Sequence, residues 1–488
     1  MLPQRRRYHP FLRVAALVAL GLATHLPPVA ASEVGKPHRL IVLTDIGAEV
    51  DDTESMVRLH LYSDVIDIQG LVATTSTWKR TSVSPELIQA VLQAYSKVHG
   101  NLLKHDANYP PAEALGALVK RGLPEYGMHG VGPGKDSEGS DWIIRTLERN
   151  DDRPLWISVW GGANTLAQAL FKLRAAKPAA ELDRLIAKLR VYTISDQDDS
   201  GPWIRKNFPA LSYIVTPGGD YAAATWTGIH IFVPGIDNST ISTKWLREHI
   251  QQGHGPMGAA YPDVAYGMEG DTPSWLALIP NGLSVPEHPE WGGWGGRYEL
   301  YRPDVPVTAP RTFIGGVPIE PETRPIWTNA IDEHTPSVMG EYGRATRPGE
   351  KSFKDFKATL WRWRDDFQND FAARMEWTTK PYQETNHPPV PVLDHPDALT
   401  VRSGETFGLS AHATDPDGDS LSFFWFQYPE AGSYKGAVAI KVAENMPNVD
   451  VVAPKVDKPE TVHFILKVTD KGTPPLSRYK RVIVTLIP

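Results

Sequence analysis

The chain has 488 residues, 41% of them hydrophobic and 22% charged, with a formal net charge of −7. That length is too great for one ordinary core and implies two or more domains. The acidic balance, with no basic stripe beyond the first residues, argues against nucleic acid as a partner, and the lack of cysteine excludes disulfides, thiolate metal sites and cysteine nucleophiles.

Residues 1–31 read as a secretory signal. Arg5, Arg6, Arg7 and Arg13 form a positive start, an apolar run covers 14–23, and Val29, Ala30 and Ala31 offer small residues for cleavage. The apolar run is shorter than the ~20 residues a membrane span needs. Export to the periplasm or the extracellular space is expected, without stable membrane insertion.

From Arg39 to Gly235 short apolar runs alternate with helical patterns. Strands are expected at 39–44, 66–73, 155–159, 189–194 and 213–215. Apolar spacing predicts helices at 53–62, 85–98, 140–148 and 163–173. Such alternation predicts a mostly parallel open sheet with helices on both faces. The near-continuous apolar strands fit burial from both sides. Residues 253–324 are rich in Gly, Pro and Trp and read as long functional loops on that scaffold. Helix is expected to return over 351–375, where Phe353, Phe356, Leu360, Trp363, Phe367 and Phe371 form a packing stripe. After Asn386 the pattern turns all-β, with strands at 406–411, 421–427, 461–468 and 481–486 separated by Pro, Asp and Gly. That spacing predicts a C-terminal β-sandwich. The expected division is a signal peptide at 1–31, an α/β domain at 38–324, a helical extension at 325–385 packing on it, and the sandwich at 388–488.

The chemistry concentrates in Leu43-Thr-Asp45-Ile-Gly47-Ala-Glu49-Val-Asp51-Asp52. A buried strand ends at Asp45, and Asp51 and Asp52 open the next helix. The carboxyl end of a strand in an α/β sheet is where ligands bind. Carboxylates converging there repel unless a cation neutralises them, and oxygen-only ligands favour Ca²⁺ before Mg²⁺. Helix capping is the competing explanation; it accounts for one aspartate more readily than for the set.

This segment resembles the D-x-D-P-G-x-D-D motif of nucleoside hydrolases, the inosine/uridine-preferring superfamily. More closely, 39–324 resembles the nucleoside-hydrolase-like domain of bacterial proteins described as cellulose-binding. The C-terminal immunoglobulin- or cadherin-like module is similar to theirs. The supporting stretches are 44–52, Ala73-Thr-Thr-Ser-Thr-Trp78, 194–203, Met268-Glu-Gly-Asp-Thr-Pro273 and Trp294-Gly-Gly-Arg-Tyr298. The resemblance implies one Ca²⁺ held by Asp45, Asp51, Asp52, Asp271 and the carbonyl of Trp160, with Asp45 also the general base. Leu43 stands where the motif has its first Asp, Ile46 stands for its Pro, and two extra residues separate Asp45 from Asp51. Thr77 occupies the place of an asparagine, and Gly270 that of a histidine which helps depart the nucleobase.

Glu269 is the leading candidate for the general acid, with His254, His288 and Glu287 behind it. Substrate contacts are expected from Thr77, Asn164, Asp196, Asp198, Trp203, His254, Trp294 and Arg297. Trp294, flanked by glycines in 292–296, is the best sugar-stacking candidate; core packing is the alternative for each Trp. Asp199 and Trp291 sit in the same loops. The acidic turn 415–419 is expected to be a plain turn rather than a second calcium site.

The expected function is an exported glycosidase of nucleoside-hydrolase type, cleaving an N- or O-glycosidic bond by inverting attack of water. The alternative is a non-catalytic, calcium-dependent carbohydrate-binding protein. The expected partner is a carbohydrate or nucleoside-like small substrate, with a polysaccharide surface also compatible. A homo-oligomer is left open by the sequence.

Overall fold

A computed structural model describes residues 36–218, 221–304, 321–339, 346–348, 351–441 and 445–488. The signal-like 1–31 stretch lies outside them. No helix among the described residues is long and apolar enough to cross a membrane.

The first part is built on eight strands: β1 His38–Thr44, β2 Ile66–Ala73, β3 Val119–Arg121, β4 Leu155–Val159, β5 Leu189–Ser195, β6 Ser212–Thr216, β7 Tyr298–Tyr301 and β8 Ile326–Asn329. Their order is β3-β2-β1-β4-β5-β6-β8-β7. Every pairing is parallel except that of β7 with β8. Side chains alternate along β1: Leu40 and Val42 enter one core and Ile41 and Leu43 the other. A strand covered on both faces must be apolar at every position, as the run Leu-Ile-Val-Leu is. Because β2 and β4 lie on opposite sides of β1, the order in which strands are added reverses there. A crevice opens between the carboxyl ends of β1 and β4.

The expected strands and the helices of this domain are present, as Asp51–His60, Pro85–Leu102, Glu138–Leu147 and Asn164–Ala176. The short β3 and the late pair β7–β8 have no clear sequence signal. The 325–385 stretch is a correction. It is not helical throughout, because Ile326–Asn329 enters the main sheet beside β6 and Phe353–Asp355 pairs with Asp332–His334. The stripe divides accordingly. Leu360, Trp363, Phe367 and Phe371 are buried, while Phe353 belongs to the short strand.

Residues 390–487 form two four-stranded sheets around their own core, which includes Trp425, Phe464 and Val482. This sandwich is joined firmly to the first part. Tyr428, Ile465 and Tyr479 enter the α/β core beside Trp294, Trp363 and Phe367. Arg478 Nη1 donates to Asp370 Oδ2 at 2.7 Å, Lys467 Nζ to Asp366 Oδ1 at 2.6 Å, and Tyr428 Oη to Asp332 Oδ2 at 2.7 Å. Gly282 and Gly292 have φ of +85° and +71°, and a Cβ on them would collide with the Tyr479 carbonyl and the Tyr428 hydroxyl. The glycines of this loop therefore admit the sandwich.

Candidate metal centre

The site is assembled at the β1–β4 crevice. Directly after β1, Asp45 begins a turn closed by Ala48 N–H donating to Asp45 O at 3.0 Å. Gly47 takes φ +88°, and a Cβ there would lie 2.6 Å from Leu87 Cδ1 and 2.9 Å from Lys79 Nζ. Lys79 holds the turn from outside, donating to Ile46 O at 2.7 Å and Ser84 Oγ at 2.6 Å. Helix α1, Asp51–His60, starts without a side-chain cap: Val50 is its N-cap. Asp51 Oδ1 accepts from the neighbouring Asp52 N–H, at 3.1 Å. Capping therefore does not explain the acidic run.

Asp51, Asp52 and Asp271 bring carboxylate oxygens within 4.8 Å of one another. Asp45 adjoins them, with Asp52 as a hydrogen-bonding neighbour. It packs against the turn after β4, where a Cβ on Gly161 would come 2.8 Å from its Oδ1. Thr44 Oγ1 donates to Asp52 Oδ1. Asp45, Asp52 and Asp271 are almost wholly buried. Burial, opposed by a Ser76 hydrogen bond, pushes Asp45 up to about 6. Burial, with Glu49 and Asp45 adding repulsion, pushes Asp51 up to about 7. Asp52 and Asp271 are raised well above the usual carboxylate range by burial and then by the other acids. Asp271 Oδ2 is buried with no hydrogen-bond partner. A cluster of buried acids that raise one another, one oxygen of it orphaned, fits a hard divalent cation bound through oxygen.

Other expected residues serve the loops around this centre. Asn164 accepts from Thr74 Oγ1 at 2.7 Å and donates to Thr75 Oγ1 at 3.0 Å and Glu125 O at 2.7 Å, tying the loops after β2 and β4. Asp198 accepts from Asn164 N at 3.2 Å and Ser200 N at 2.9 Å, and burial pushes it up to about 6. Thr77 is buried in the loop after β2 and accepts from Arg80 Nη2 at 3.2 Å. Trp160, expected to offer its carbonyl to the ion, keeps one lone pair of that oxygen beyond a hydrogen bond it accepts. That bond comes from Gln197 Nε2 at 2.7 Å, and the Trp160 side chain is core.

Several candidates are corrected outright. Glu269 is fully buried, 2.6 Å from Arg58 Nε, and accepts from Tyr261 Oη at 2.8 Å and Thr272 Oγ1 at 2.9 Å. So held, its carboxyl is bound into the fold, with burial raising its pKa against the pull of Arg58. Asp196 is locked to Arg205 at 2.8 and 2.9 Å, inside a buried cluster with Glu322. Trp294 is 0% exposed, edge-on to Phe367 and Tyr479. Arg297 pairs with Asp332 at 2.7 Å. Trp203 packs on Phe208 under Arg174. His254 is buried, its carbonyl accepting from Thr378 Oγ1 just past the Arg364–Glu376 helix. His288 stacks on Trp291 at 3.8 Å, and Glu287 pairs with Arg190 at 2.7 Å. In the 415–419 turn, Asp415 Oδ1 accepts from Asp417 N and Asp419 N, as a plain turn does.

Residues 39–298 match the family model described as "Cellulose-binding Sde182, nucleoside hydrolase-like domain", and 406–486 match "Cellulose-binding protein Sde0182, C-terminal domain". The chain belongs to this Sde182 family. A solved nucleoside hydrolase-related hypothetical protein from Saccharophagus degradans, described as associated with carbohydrate metabolism, is 33% identical. The match covers 92% of this chain and 100% of that one, with a TM-score of 0.75. The effector protein XOO4466 is 12% identical over 60% of this chain and 87% of its own, at a TM-score of 0.29. The type III effector XopQ, solved with adenosine diphosphate ribose, is 14% identical over 50% and 81%, at 0.26. Among curated proteins none matches.

In this Sde182-family chain the matched span encloses every acidic residue of the centre. It also encloses an aromatic group that sequence reasoning missed. Trp78 Nε1 donates to Tyr221 Oη at 3.1 Å, and Tyr221 packs edge-on against Trp226 with centroids 5.5 Å apart. A Cβ on Gly270 would lie 2.9 Å from both Trp226 and Asp51 Oδ2, so the indole fills the space beside Gly270, the position where the nucleoside-hydrolase resemblance implies a histidine. Trp78, 38% exposed, closes the 73–78 stretch that carried the resemblance. Tyr221 and Trp226 lie in a loop after β6 with no motif to mark them.

Proposed function

We propose that this chain is an exported, calcium-dependent glycosidase of nucleoside-hydrolase type, acting on a carbohydrate. The observation that carries this reading is the unpartnered, buried Asp271 Oδ2 beside Asp51 and Asp52. Asp51, Asp52 and Asp271 would hold the ion, with Asp45 next to them. Charge neutralisation and Lewis-acid polarisation would be the contribution of Ca²⁺ when bound. Asp45 accepts a proton from the attacking water; its buried position next to other acids gives it an affinity suited to that step near neutral pH. Direct attack by water predicts inversion at the anomeric carbon. Trp78 and Tyr221 offer an aromatic rim against which the apolar face of a sugar ring can rest. The leading secretory-type segment supports export.

A second reading is calcium-dependent carbohydrate binding without turnover. The ion-paired Glu269, and the Trp226 indole beside Gly270, favour it. The family's cellulose-binding description agrees with it. The deciding experiment incubates mature protein with nucleosides, furanosides and plant-wall oligosaccharides, with calcium, with chelator, and as Asp45→Asn. Calcium-dependent sugar release lost in the variant supports the hydrolase. Calcium-dependent glycan binding without release selects the second reading, and neither release nor binding sinks both.

A further inference from the structure

Asp271 reaches the acidic cluster from a turn that an L-residue adopts reluctantly. Two positions earlier Glu269 has φ +51°, in the left-handed region, where a side chain bearing Cβ is disfavoured. Such a conformation persists only where its surroundings over-determine it. Here α1 supplies those surroundings. Glu269 N–H donates to Glu54 Oε2 at 2.8 Å. Arg58 grips the Glu269 carboxylate, with Nη2 donating to Oε1 at 3.1 Å. Thr272 Oγ1 meets Ser55 Oγ at 3.0 Å, and Thr272 N–H donates back to Glu269 O at 3.2 Å. Glu54 and Ser55 follow Asp51 by three and four positions, and Arg58 follows Glu54 by four. All therefore lie along one side of the helix. The first turn of α1 presents two acids of the cluster, and its next turns hold the backbone that presents the third.

We propose that Glu54 is a positioning residue of the metal centre. Its carboxyl oxygen fixes the Glu269 backbone in the left-handed conformation and so sets the place of Asp271 against Asp51 and Asp52. This rests on the metal-binding reading above. The contact is made through reach, not charge: Glu54 has to extend far enough to accept from Glu269 N–H, and a neutral amide oxygen of equal reach can do the same.

The test is calcium titration by calorimetry on the mature full chain, with thermal unfolding in chelator as a parallel readout. Glu54→Gln keeps the length and replaces the carboxyl with an amide. Glu54→Asp keeps the carboxyl and loses one methylene. The expected result is calcium affinity within about threefold of wild type for the Gln variant and at least about tenfold weaker for the Asp variant. Both changes are small, so both variants are expected to fold, as checked by circular dichroism. Equal affinity in the Asp variant overturns the proposal. So does weakening in the Gln variant comparable to that in the Asp variant, because an amide oxygen of full reach would then fail to hold the turn. A lowered unfolding temperature in chelator with unchanged calcium affinity also overturns it, leaving Glu54 a packing residue. Absence of calcium binding in the wild type is distinguishable from all of these; it removes the metal-binding reading and this proposal with it.

Discussion

Trp294 separates a ligand-facing loop from a domain joint, and Trp294→Ala tests which it is. The indole is 0% exposed and lies edge-on to Phe367 and Tyr479 at 6.3 and 6.4 Å. Its Nε1 donates to Tyr479 Oη at 3.4 Å. Truncating a buried aromatic of this kind costs about 3–5 kcal/mol, because the surroundings only partly collapse into the space. The shared core makes Pro37–Pro488 one compact unit. With an unfolding entropy of about 2.1 cal/mol/K per residue over about 450 residues, each degree corresponds to about 0.95 kcal/mol. A loss of about 4 kcal/mol therefore lowers Tm by about 4 °C. Differential scanning calorimetry measures this, with calcium titration of the folded variant alongside. Calcium affinity is expected to stay at the wild-type value, since Trp294 touches none of the clustered acids. An unchanged Tm combined with lost glycan binding would refute the reasoning and return Trp294 to a sugar-stacking role.

Asp271→Asn is expected to weaken calcium binding by at least about tenfold while stabilising the chelated protein by about 1–2 kcal/mol, because it removes one of several mutually repelling buried acids; calorimetry with and without chelator checks both signs. The pH dependence follows from the same repulsion. Asp45 and Asp51 are pushed up to about 6 and about 7, above the ordinary aspartate value near 3.8. The folded state therefore binds protons more tightly than the unfolded state. Chelated protein loses stability as pH rises from about 4 through about 7, and saturating calcium flattens that fall; Tm measured from pH 4.5 to 8 in chelator and in calcium tests it. Glu269→Gln leaves Arg58 buried with its main counter-charge gone and is expected to cost about 3–5 kcal/mol, read by denaturant unfolding. A folded variant of wild-type stability with a shifted pH–rate profile would instead make Glu269 an acid. A fragment ending at residue 387 exposes Trp294, Trp363 and Phe367 and is expected to aggregate, as sedimentation or light scattering would show.

Much of the α/β architecture is legible in the sequence, because a strand buried on both faces has to be apolar at nearly every position. Leu40 to Leu43 and the run at 155–159 largely obey that requirement locally, while 66–73 does so only after the half-buried Asp67 and Gln69. The acidic centre is legible for a related reason. Asp45, Asp51 and Asp52 lie within eight residues of one another at a strand end, so their meeting needs no knowledge of the rest of the fold. What only the tertiary structure decides is who partners whom across long separations. Glu269 and Arg58 are 211 positions apart, and Trp294 and Tyr479 are 185 apart. No periodicity reports such pairs, so the same glutamate reads as an acid and the same tryptophan as a sugar platform until their partners are seen. The glycines of 292–296 show the limit best. Their composition says that something approaches the backbone closely, and only the packed chain shows that it is the protein's own side chains, Tyr428 of the sandwich at Gly292 and Ser284, Ala277 and Thr225 at the others.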